Sequence, residues 1–218
     1  MKANDMATVT IQNETAADVT ASSSGFRPYR ITSAMYQRIV ASGAFGDKSP
    51  VFLLKGQLVE KASDMTKGRK HIFAHNRLDR LLSGVIPGGY FVEQDQPVDL
   101  GQDNVPEPDL KVVRGEDDDY LDRDPCAGDV PLVVEVADSS LRDDTGEMLG
   151  LYASALIPVY WIVNIPNRRI DVYSRPISRP EASRYEDFRC FGPDESVPVI
   201  IDGVEVGMIA VKDILPRR

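Results

Sequence analysis

Two acids stand where apolar strands rarely carry them. Asp109 closes Pro106-Glu107-Pro108-Asp109 directly before Leu110-Lys111-Val112-Val113, and Glu135 lies inside Leu132-Val133-Val134-Glu135-Val136-Ala137. A carboxylate within a β-branched run loses hydration, and two of them brought within ~4 Å repel by roughly 4 kcal/mol at an effective dielectric near 20. Such a pair needs a positive group between its members, or a proton on one of them. A divalent cation with oxygen ligands meets that need and is the means by which many phosphodiester-cleaving sites work. Lys111 follows Asp109 by two residues, so on a strand it shares a face with that acid. It is the candidate to reach a metal-bound water or a phosphate; the competing reading has it snorkel to solvent at the sheet edge.

Other reactive residue types support less. His71 and His75 are four apart on one helical face, but no HExxH surrounds them and no acidic or thiol partner stands at zinc spacing. Ser139-Ser140 lacks a nucleophile elbow. Glu147 reads either as a third carboxylate near a metal or as a solvent-facing charge, and Asp143 and Asp144 suit the first turn of a helix. In Tyr160-Trp161, alternation along a strand predicts one ring in the core and the other outward.

The elements that must position these groups follow from periodicity. Residues 1–27 are polar, without sustained pattern, and predict a flexible tail, leaving 28–218 as one domain. Thr32-Ser33 cap a short helix through Ala41, closed by Gly43. Val51–Leu54 and Gln57–Glu60 flank Lys55-Gly56 at the spacing of a two-residue hairpin. From Lys67 to Ser83, His71, Ala74, His75, Leu78, Leu81 and Leu82 recur at helical steps. Strands are predicted at Tyr90–Gln94, Leu110–Arg114, Pro131–Ala137, Val159–Asn164 and Arg168–Tyr173, with one helix from Leu141 to Ala155. Short strand pieces at 189–191, 197–201 and 204–206 and a last turn near 211–215 end the chain.

Composition bounds the setting. With 218 residues, 42% hydrophobic and 27% charged, the chain is of ordinary globular make-up, and no apolar run approaches the ~18–20 residues of a membrane span. A basic-then-apolar leader does not open it, so a cytoplasmic location is expected. Cys126 and Cys190 form no CxxC and are expected as reduced thiols. The net charge of −9 argues against a protein that holds nucleic acid by a broad basic surface. Charge is nonetheless segregated: Lys67, Arg69, Lys70, Arg77 and Arg80 share one helical stretch, while six acids crowd residues 116–124.

Strand, strand, helix, strand, with an acid at the mouth of the first strand and one inside the second, is the layout of the PD-(D/E)xK nuclease fold. Residues 51–174 also resemble the Uma-type family of restriction-endonuclease-like proteins within that superfamily. The resemblance is carried by Leu53–Glu60, Pro106-Glu107-Pro108-Asp109-Leu110, Leu132–Ser140, Leu151-Tyr152-Ala153 and Ile157–Asn164. It implies an α/β (α+β) fold with a restriction-endonuclease-like mixed sheet flanked by helices. It also implies Asp109 and Glu135 as ligands of Mg2+ or Mn2+, DNA as partner, and a homodimer. A histidine near the start of the family's first long helix makes His71 the candidate for orienting substrate.

Two positions depart from the family pattern. The superfamily lysine two residues after the glutamate is Ala137 here, and the lysine that Uma-type proteins carry in the following helix is Met148. Methionine keeps the length of the stem without its ammonium, and losing one preorganised positive group typically lowers a rate by about 10²–10³. Phe52 stands where the family often has a glutamate. The expectation is therefore a Mg2+-dependent endonuclease hydrolysing DNA phosphodiesters, weakened at the lysine position. The alternative is a catalytically degenerate relative that keeps the fold as a binding or interaction module.

Overall fold

The computed structural model describes residues 27–46, 51–60, 67–138, 140–179 and 182–217. Nearly all of the expected tail, and Ser139, lie outside them.

Helix α1 (Ser33–Ala41) starts where Thr32 accepts the N–H of Met35 through its hydroxyl, as a Ser/Thr cap requires. Strands β1 (Val51–Leu54) and β2 (Gln57–Glu60) form the expected hairpin. Its turn holds both Lys55 (φ 50°) and Gly56 (φ 73°) in the left-handed region, and a β-carbon at Gly56 would also press to 3.0 Å from Arg30.

Six strands follow one another in space as they do in the chain: β3 (Tyr90–Gln94), β4 (Leu110–Arg114), β5 (Leu132–Ala137), β6 (Val159–Asn164), β7 (Arg169–Ile177) and β8 (Arg184–Phe191). Only β5 and β6 run parallel; the other pairs are antiparallel. A parallel pair needs a crossover, supplied here by α3 (Leu141–Asp143), a π-helical turn (Asp144–Met148) and α4 (Leu149–Ser154). The single helix expected there is thus interrupted. Thr145 donates its hydroxyl back to the Leu141 carbonyl at 2.6 Å, and Gly146 follows with no side chain to hold a regular turn.

Both faces of the sheet are covered. On one, Ala74, Leu78 and Leu82 of α2 (Arg69–Ser83) join Val112, Val134, Val136 and Trp161 in one core. The β9–β10 hairpin (Ser196–Ile201, Val204–Ala210) and α5 (Val211–Ile214) complete it. On the other face, Leu151, Tyr152 and Ala153 of α4 pack with Val133, Tyr160, Ile162 and Tyr185. This corrects the reading of Tyr160-Trp161: the rings do point to opposite faces, but both are fully buried because neither face meets water.

The C-terminal strands are longer than their apolar residues suggest. In β8 only Tyr185 and Phe191 are buried, and the intervening charges mask the strand. Cys126 and Cys190 are free thiols. No helix of the described residues is long and apolar enough to cross a membrane.

Candidate active site

Asp109 and Glu135 meet because β4 can begin only after Pro108, whose missing N–H cannot extend a ladder. The register Leu110↔Val134, carried one residue further, sets Asp109 opposite Glu135. The Asp109 N–H points to Glu135 Oε2 at 3.4 Å, and Asp109 Oδ2 accepts the Val136 N–H at 2.7 Å. Both acids are buried, at 2% and 1% exposure. Two carboxylates so placed survive only with donors around them.

The donors come from both faces. Tyr152 on α4 gives its hydroxyl to Glu135 Oε1 at 2.8 Å. Burial, and then the charge of Glu135, hold that phenol well above its usual pKa, so it stays a donor. From the other side, the start of α2 reaches over the mouth of β4. His71 Nε2 lies 3.1 Å from Asp109 Oδ2, and the Lys67 ammonium lies 3.1 Å from Asp109 Oδ1 and 2.7 Å from Asp95 Oδ1. His75 Nε2 sits 2.9 Å from the Asp109 carbonyl. A carbonyl only accepts, so His75 carries its proton on Nε2.

Lys111 is not brought to the acid pair. Its ammonium pairs with Glu93 Oε2 at 2.6 Å and donates to the Gln96 carbonyl at 2.8 Å. Nor does it snorkel: the side chain is wholly buried, because Glu93 faces it across the β3–β4 ladder and removes the need to reach water. Desolvation lowers its pKa, and Glu93 opposes that. Ala137 and Met148 lie in the apolar core on the α4 face. Glu147 forms a surface ion pair with Lys55 at 2.8 Å, more than half exposed on both sides. Asp144 is buried and accepts the Ser140 hydroxyl at 2.6 Å.

Sequence reasoning missed Lys67, Asp95, His75 and Tyr152 as neighbours of the acids. Spacing did not mark Lys67, which stands before the N-cap Gly68 and so outside the helix that carries His71.

The donor set suits a hard divalent cation. Two carboxylates offer anionic oxygens, while among the described residues no group of three or more His, Cys, Asp or Glu is placed to hold a metal ion. Water and substrate oxygens would fill the remaining positions, an arrangement Mg2+ adopts readily.

A mixed sheet with one parallel pair bridged by helices, carrying an acid at the mouth of β4 and another within β5, defines the restriction-endonuclease-like class of fold. The chain belongs to the Uma2 family, described as "Putative restriction endonuclease", whose model matches residues 35–208. The resemblance drawn from the motifs is thereby borne out. Among solved structures the chain is similar to one described as a putative nuclease belonging to DUF820 from Anabaena variabilis. The TM-score is 0.63 at 15% identity, covering 84% of this chain and 97% of that one. No curated protein matches the chain.

Proposed function

We propose that this protein is a metal-dependent endonuclease that hydrolyses DNA phosphodiester bonds, with Asp109 and Glu135 holding Mg2+ or Mn2+. The observation that carries the reading is the meeting of these two buried acids, the Asp109 N–H lying 3.4 Å from Glu135 Oε2. When bound, the ion supplies Lewis-acid polarisation of a phosphate oxygen and a lowered pKa for an attacking water. The protein's own groups prepare the site. Tyr152 fixes the rotamer of Glu135, and the Val136 N–H together with His71 fixes that of Asp109. Outer partners of this kind orient carboxylate ligands before metal arrives.

The reading includes a homodimer, since cutting both strands of a duplex takes two sites, and a cytoplasmic location, which two free thiols fit. The test is nicking of supercoiled DNA with Mg2+ or Mn2+, using Asp109→Ala and Glu135→Ala as controls. Loss of cleavage in both variants is the expected result; metal-independent cleavage, or none at all, contradicts the reading.

A second reading, a degenerate family member acting as a binding module, draws on one observation. The positions that carry lysine in relatives, 137 and 148, are both apolar and buried here.

A further inference from the structure

The acid pair has a cation beside it that the motifs do not assign. Lys67 immediately precedes Gly68, the N-cap of α2, and the chain passes so close to β5 there that a β-carbon on Gly68 would stand 3.3 Å from Asp138 Oδ2. That approach sets Lys67 over the Asp109 end of the sheet. With His71 one turn on, the start of α2 grips both oxygens of one carboxylate: ammonium on Oδ1, imidazole on Oδ2. The Lys67 side chain keeps 27% exposure against 3% for Asp109, so its ammonium bridges the buried acid to the solvent-facing Asp95.

The ammonium lies on an Asp109 oxygen that a bound ion would use. Metal and Lys67 therefore compete for Asp109 Oδ1, and the stem of Lys67 is flexible enough to give way while staying near Asp95.

We infer that Lys67 is the working lysine of this site: it holds Asp109 in the metal-free protein, yields that oxygen to the metal, and then meets the charge of the scissile phosphate. It supplies from the start of α2 the positive charge that Ala137 and Met148 cannot. The inference rests on the nuclease reading for its second half, and on geometry alone for its first.

The test uses the full chain with Lys67→Met and Lys67→Arg, folding being checked by circular dichroism. Calorimetric titration with Mn2+ should show binding to Lys67→Met tightened by at least about threefold, since a competing charge has gone. Single-turnover cleavage of a labelled DNA duplex at saturating Mn2+ should fall by about 10²-fold in Lys67→Met, and by clearly less in Lys67→Arg. Unchanged or weaker Mn2+ binding, or undiminished cleavage, overturns the inference. A wild type that cuts no DNA defeats the nuclease reading and the phosphate role with it. In that case the Mn2+ comparison alone judges whether Lys67 occupies the acid pocket: tighter binding by Lys67→Met upholds it and unchanged binding refutes it.

Discussion

Tyr152 and Glu135 form a buried hydrogen bond, 2.8 Å from phenol oxygen to Oε1, that ties α4 to the middle of β5. It joins the core of one sheet face to the acid pair. Tyr152→Phe leaves a buried carboxylate oxygen without that donor, and the expected loss is about 2 kcal/mol or more of unfolding free energy, read by urea denaturation. Near-wild-type stability would mean that Glu135 does not depend on this bond.

The buried phenols also set an alkaline limit. Burial raises the pKa of Tyr152, Tyr160 and Tyr185 above the ordinary 10.0. The unfolded chain therefore loses these protons near pH 10, while the folded chain keeps them. Unfolding is favoured as pH rises, so stability held below pH 10 declines above it, by about 1.4 kcal/mol per pH unit for each such tyrosine. Absorbance of phenolate near 295 nm should rise for these rings only together with loss of helical circular dichroism.

Lys111 and Glu93 offer a structural contrast to the acid pair. Removing Lys111 alone, as Lys111→Met, leaves Glu93 without its partner and costs about 3–5 kcal/mol. The low end is expected, since Glu93 keeps 24% exposure. Combining it with Glu93→Gln should return most of that stability, and Mn2+ affinity should stay at the wild-type value throughout. A loss of metal binding in Lys111→Met would place this lysine in the site after all.

Met148→Lys puts an ammonium where the family pattern that the motifs resemble has one, but into a core shared with Leu151 and Tyr152. Stability should fall by roughly 1–3 kcal/mol from desolvating the charge. Single-turnover cleavage should rise in the wild type by less than about 10²-fold, because Lys67 already supplies charge, and rise further in a Lys67→Met background. Equal gains in both backgrounds would show that the two lysines act independently.

Much of this was legible in the residues, for identifiable reasons. Local signals placed the first hairpin, where Lys55-Gly56 takes the positive φ its turn demands, and β5 and β6 read as near-continuous apolar runs because both their faces are covered. Pro108 before a strand marked Asp109 as the residue at its mouth. What escaped depends on partners distant in sequence. Whether Lys111 reaches Asp109 or Glu93 is decided by which strand lies beside β4, and that Lys67 lies over Asp109 is decided by where α2 begins. Neither leaves a trace in spacing along one element. The π-helical turn at Asp144–Met148 escaped because its apolar stripe still reads as helical.

Calorimetric titration of the purified chain with Mn2+ tests most directly whether Asp109 and Glu135 act together on a divalent ion. The wild type should bind one ion per chain at this site, and Asp109→Asn and Glu135→Gln, each shown to be folded, should each weaken that binding by at least about tenfold. Wild-type affinity in both variants, or no Mn2+ binding by the wild type, would contradict it.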